Sequence, residues 1–137
     1  MRNKAKNAAD RLFCSAVIVA GGSSTRMGTD KLLMELRGRP VIERTLTAFE
    51  RSTYVDEIVV VTRGEIIPTV ANIAREAGIR KLKSVVTGGA DRTASSWAGV
   101  QECSQYAGLI AIHDAARPLV TQEILSLIHI SEPTRPI

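Results

Sequence analysis

The stretch AVIVAGGSSTRMGTDK at residues 16–31 constrains the fold of this 137-residue chain more than any other segment. Its short, continuous apolar run over residues 16–20 predicts a buried strand. The run breaks into Gly21-Gly22-Ser23-Ser24-Thr25, and two cations follow, Arg26 and Lys31. Glycine lets the backbone come close and turn its N–H groups inward, while fixed positive charge neutralises phosphate oxygens. A strand, a glycine-serine loop and paired cations therefore imply a nucleotide or other phosphorylated ligand at the carboxyl end of the first strand.

Aromatic residues make up only 4% of a chain that is 45% hydrophobic, so the core must be built from Val, Ile, Leu and Ala. That composition suits a parallel sheet covered by helices better than a sandwich. At 137 residues the chain is long enough for one core and one domain.

The formal charge of +4 is concentrated at the amino end, where Arg2, Lys4, Lys6 and Arg11 outweigh Asp10 and leave a remainder of only +1. A basic tip on a nearly neutral body reads as a solvated, disordered terminus over residues 1–11, and nucleic acid is excluded as a partner. The basic residues precede an apolar run in the manner of a signal peptide. The run ends in Gly-Gly and Ser-Ser-Thr-Arg, however, without a small-x-small cleavage pattern. No segment approaches the roughly 18 apolar residues that span a bilayer, so no membrane role is expected. Cys14 and Cys103 have no metal-ligand spacing and read as reduced, packed thiols of a cytoplasmic protein.

Apolar runs alternate with helical patterns along the rest of the chain. Strands are predicted at 16–20, 57–62, 84–87 and 109–113. Helices are predicted at 40–52, entered through Pro40, at 66–77, ended by Gly78, and at 93–103. Such alternation implies right-handed crossovers and an α/β fold with a mainly parallel sheet. Parallel sheets place their ligands outside the carboxyl ends of the strands. Three of those exits are polar and rich in small residues: the glycine-serine loop, GGADRTASS at 88–96 and HDAARP at 113–118. The exit at Arg63-Gly64 is less distinctive. Considered alone, Arg26 and Lys31 are ordinary surface cations, and Arg92 and Ser95 open a helix whose N–H groups need polar caps. His113 reads as a structural strand-end imidazole, Asp114 as a loop clamp to Arg117, and Trp97 as packing.

Together and in this order, AGGSSTRMGTDK, GGADRTASS and HDAARP resemble the 2-C-methyl-D-erythritol 4-phosphate cytidylyltransferase family, over about residues 14–125. The glycine-rich signature is shared with other nucleotidyltransferases, including the guanylyltransferases of molybdenum cofactor synthesis. HDAARP is the more specific piece. The resemblance implies a Rossmann-like, three-layer αβα nucleotidyltransferase fold, and a reaction in which the acceptor phosphate attacks the α-phosphorus of CTP and pyrophosphate leaves.

Residue by residue, the resemblance assigns Arg26 and Lys31 as catalytic cations on the α-phosphate and the departing pyrophosphate. Ala20, Gly21 and Gly22 would give close backbone approach to ribose and phosphates. Gly89, Arg92 and Ser95 match the segment that reads the cytosine edge. Asp114 and Ala115 match the ribose and metal side, with Mg²⁺ expected on the triphosphate and Asp114 as its protein ligand.

The pattern departs from the family at Ser23, Ser24 and Leu32, and more seriously at the end. Residues 12–126 read as the amino-terminal, CTP-binding part of the domain, and residues 127–137 (LIHISEPTRPI) as a non-native tail. The family's acceptor contacts, a further lysine and the arm that makes a homodimer would lie beyond. The chain is thus expected to be an incomplete, marginally stable fragment with negligible transferase activity. Two alternatives stand beside this reading: a guanylyltransferase-like or other nucleotidyltransferase, and a non-catalytic nucleotide-binding fragment.

Overall fold

The computed structural model describes residues 12–20, 33, 35–36 and 38–115. In chain order the elements are β1 (Cys14–Val19), a small antiparallel pair β2 (Glu35–Leu36) and β3 (Arg39–Pro40), then α1 (Val41–Arg51) and β4 (Glu57–Thr62). A 3-10 turn (Gly64–Ile66) leads into α2 (Ile67–Glu76), β5 (Leu82–Thr87), α3 (Arg92–Glu102) and β6 (Leu109–Asp114). The predicted basic tail at 1–11 and the tail at 127–137 lie outside the described residues.

The main sheet runs β5-β4-β1-β6, with each neighbouring pair parallel. Every residue of β1 and β4 is buried, as continuous apolar runs demand of strands covered on both faces. The predicted α/β alternation is therefore the observed architecture, and the apolar run before the glycines is a central strand of the fold. Among the described residues no helix is long and apolar enough to cross a membrane.

Strand periodicity divides the core between two faces. Ala16 and Ile18 of β1, with Ile58 and Val60 of β4, meet Ile42, Leu46 and Phe49 of α1 and Val70 and Ala74 of α2. The alternate residues Val17, Val19, Val59 and Val61 form a second cluster on the opposite face. There α3 crosses the sheet: a Cβ at Gly99 would stand 2.4 Å from Val17 Cγ1 and 2.8 Å from Val61 Cγ2. Gly99 and Ser95, both buried, let α3 lie almost on the strands. This close approach explains why Trp97, expected to pack, is instead 54% exposed. Small residues take the inward face of α3 and the large ring is turned to solvent.

Local signals terminate the elements as their chemistry requires. Pro40 occupies the N-cap of α1 and Pro68 lies in the first turn of α2, where its missing N–H costs no helical bond. Gly78, at φ +76°, ends α2 in the left-handed conformation that glycine adopts freely.

At the amino edge of the sheet, Glu57 is a buried carboxylate. It accepts the Ser15 hydroxyl at 2.5 Å and the Ser104 N–H at 2.6 Å, both on Oε2. Cys14 and Cys103 are free thiols, Cys14 buried and Cys103 half-buried. Burial pushes the Cys103 thiol up to about 11.

Candidate active site

The winding of the chain determines where a ligand fits. From β1 it passes through α1 to β4 and through α2 to β5, building outward on one side. It then crosses the opposite face through α3 and adds β6 on the other side of β1. The direction reverses between β1 and β6. In open parallel sheets that reversal splays the connecting loops and leaves a crevice at the carboxyl ends of the strands.

Backbone bonds tie the exit segments side by side along this edge. Ala20 N–H donates to Val61 O at 2.7 Å, Gly88 N–H to Thr62 O at 3.0 Å, and Ala115 N–H to Val19 O at 3.0 Å. Asp114 is the last residue of β6 and lies in register with Val19, the last residue of β1. Ala20, Asp114 and Ala115 are thus brought together. Gly88 and Gly89 follow β5 at the far edge of the sheet. Three interstrand steps separate β5 from β6, roughly 14 Å at the usual spacing.

The segment after β5 is packed without spare room. Gly89 N–H donates to Ser95 Oγ at 3.0 Å, and Ser95 is fully buried. A Cβ on Gly88 would lie 2.5 Å from that same Oγ, and one on Gly89 would lie 2.4 Å from Ala94 Cβ. The glycine pair is required by contact with the start of α3. Arg92 is the first residue of α3 and is exposed beside the loop. Of the predicted site residues, the structure places Gly89, Arg92 and Ser95 together at one end of the edge and Ala20, Asp114 and Ala115 at the other. Gly21, Gly22, Arg26 and Lys31 lie outside the described residues, as does Arg117, the expected partner of Asp114. His113 sits edge-on to Phe49, with ring centroids 5.5 Å apart.

Two features here were missed in the sequence. Asp91 is the N-cap of α3, its Oδ1 accepting Ala94 N–H at 2.8 Å. The signal was an aspartate immediately before a helical pattern. The exit of β4 also takes part: Thr62, Arg63, Gly64 and Glu65 form an open pocket with Thr87, Gly88 and Gly89. Arg63 Nη1 is 3.2 Å from Glu65 Oε2 within this lining.

Known proteins place this arrangement. Residues 14–135 match the family model for 2-C-methyl-D-erythritol 4-phosphate cytidylyltransferase. The enzyme of that name from Lachnospira eligens is 43% identical over 114 residues, covering 82% of this chain and 50% of the relative. The one from Halalkalibacterium halodurans is 39% identical over 123 residues, covering 88% of this chain and 54% of its own length. Among solved structures, the 4-diphosphocytidyl-2C-methyl-D-erythritol synthase of Anaerococcus prevotii superposes with a TM-score of 0.73 at 29% identity. It is matched over 85% of this chain and 48% of its own. The chain spans about half the length of the curated relatives it matches. Fold and sequence agree, and the chain belongs to the 2-C-methyl-D-erythritol 4-phosphate cytidylyltransferase family.

Proposed function

We propose that this chain forms the CTP-binding part of an enzyme that transfers a cytidylyl group from CTP to 2-C-methyl-D-erythritol 4-phosphate, in the non-mevalonate route to isoprenoids. The observation that carries this reading is the juxtaposition of Ala20, Asp114 and Ala115 across the β1–β6 reversal, on a chain matched to this family over residues 14–135.

In the transfer, a phosphate oxygen of the acceptor bonds to the α-phosphorus of CTP, the bond to the β-phosphate bridging oxygen breaks, and pyrophosphate leaves with that electron pair. Such a reaction needs charge stabilisation and alignment more than covalent help. Arg26 and Lys31 supply fixed positive charge to the α-phosphate and the leaving pyrophosphate. Backbone N–H groups of the loop at Gly21 and Gly22 approach the phosphates, beside Ala20. Gly89, Arg92 and Ser95 bound the base, and Asp114 and Ala115 bound the ribose.

The donor set fits a magnesium ion of the kind that travels with a nucleoside triphosphate. Asp114 offers one hard carboxylate oxygen, and among the described residues no cluster of three or more His, Cys, Asp or Glu exists to build an all-protein cage. When bound, the ion would offset charge on the phosphate oxygens, with Asp114 holding it from the end of β6. In the family, a homodimer and the cytoplasm are the expected setting.

Calorimetric titration of the 137-residue chain with CTP, GTP, UTP and ATP in the presence of magnesium tests the reading. CTP should bind tightest. A preference for GTP would move the assignment to the molybdenum cofactor guanylyltransferases, and binding to none of the four would refute the nucleotide site. Equal turnover of methylerythritol phosphate by this chain and by a relative of full length would overturn the expectation that this part alone lacks transferase activity.

A further inference from the structure

The loop from Gly88 to Asp91 is fastened by four hydrogen bonds. Gly88 N–H donates to Thr62 O and Gly89 N–H to Ser95 Oγ, both at 3.0 Å. Asp91 Oδ1 accepts Ala94 N–H at 2.8 Å, and Asp91 O accepts Ser95 N–H at 2.9 Å. The first two bonds anchor the start of the loop. Its end is held through Asp91, whose carboxylate is the one side-chain tether there, since Ala90 has no polar side chain. The body of α3 is fastened separately and further along, where Gly99 lies against Val17 and Val61. Loss of the cap would therefore loosen Ala90, Asp91 and the first turn of α3 while leaving the helix docked.

A second observation lies beside the same loop. Thr62 has no exposed surface, its Oγ1 has no hydrogen-bond partner among the described residues, and the residue lines the pocket whose other wall is Gly88 and Gly89. A buried hydroxyl left unpaired costs stability, and a bound partner that reached it would recover that cost.

We infer that Asp91 is a positioning residue for nucleotide recognition: by capping α3 it holds Arg92 and the Gly89–Ser95 pair in the geometry that receives the base. The inference rests on the cytidylyltransferase reading. Its negative charge is not what is needed next to an anionic ligand; its capping oxygen is.

The test compares Asp91→Ala with Asp91→Asn and Asp91→Ser, which keep a capping oxygen. Binding of CTP with magnesium and of inorganic tripolyphosphate is measured by calorimetry, alongside thermal unfolding. Asp91→Ala should weaken CTP binding by about fivefold to tenfold, as loss of a cap implies. Tripolyphosphate, which does not reach the base loop, should bind unchanged, and the two capping variants should recover CTP affinity to within about twofold. Should Asp91→Ala fail to fold, Asp91→Gly is read instead, since glycine is tolerated at a cap without supplying a side-chain oxygen. Unchanged CTP affinity in the alanine variant overturns the inference while the nucleotide site stands. Equal losses for CTP and tripolyphosphate, or no recovery with Asn and Ser, overturn it too. An unsubstituted chain that binds no CTP removes both the inference and the reading beneath it.

Discussion

The hydroxyl of Ser15 donates to the carboxylate of Glu57 at 2.5 Å, linking β1 to β4 at the edge of the sheet opposite the nucleotide loops. The same Oε2 receives the N–H of Ser104 from the α3–β6 connection. One buried carboxylate therefore joins three segments that are distant in sequence. Glu57→Ala strands two donors in the interior and should cost about 3 kcal/mol, the upper range for hydrogen bonds to a charged group. Glu57→Gln keeps an acceptor oxygen and should cost less. Urea unfolding midpoints for the two variants check this, and equal midpoints for Glu57→Ala and the parent chain would refute it.

Helix α3 touches the sheet through Gly99, with no space for a methyl group against Val17 and Val61. Gly99→Ala should destabilise the fold by about 1–3 kcal/mol through overpacking, although alanine is the better helix former. Gln101→Ala, at an exposed position on the same helix, should stay within about 0.5 kcal/mol of the parent. Thermal unfolding of both variants makes the comparison, and a stabilised Gly99→Ala would show that α3 can move off the strands.

The thiol of Cys103 is pushed up to about 11, first by burial, against an ordinary value of 9.0. A raised value means that the folded chain holds this proton more tightly than the unfolded one. The resulting contribution to stability is present below pH 9 and is lost as the pH rises through 11. Stability should therefore fall over that window, and Cys103→Ser should flatten the fall. Since the thiolate is the nucleophile, neither Cys103 nor buried Cys14 should react rapidly with a disulfide reagent at pH 7. Two thiols should appear on unfolding, and a fast-reacting thiol in the native chain would contradict this.

Arg26→Ala and Lys31→Ala address the phosphate end of the proposed site. Each should weaken CTP binding by roughly tenfold to a hundredfold, the worth of one hydrogen bond to a charged group. Unfolding free energies should stay within about 0.5 kcal/mol of the parent. Unchanged affinity in both variants would remove these cations from the site.

The sheet was legible because its central strands are continuous apolar runs: 57–62 was predicted and observed with the same bounds. β5 was predicted two residues short, at 84–87, since Lys83 is exposed on an edge strand and interrupts the apolar pattern. The β2–β3 pair was not anticipated, as two-residue strands have no periodicity to detect. Three loops at three strand exits were visible in sequence, and so was the family. The bonds within the site were not. The Asp91 cap is local and had a signal, but the close seating of α3 on the sheet at Gly99 depends on Val17 and Val61, 82 and 38 positions away along the chain.

The central place of β1 also sets the order in which this molecule can be built. Ser15 pairs with Glu57 on one side and with Ile110 on the other. During synthesis from the amino end, β1, β4 and β5 can assemble with their first two helices while one flank of β1 still has no neighbour. That flank is closed only when β6, the last strand described, has been made. Non-local parallel pairing of this kind is slow, because a long loop must close before any bond rewards it. β1 waits for β6, and their meeting aligns Val19 with Asp114 and opens the crevice between them.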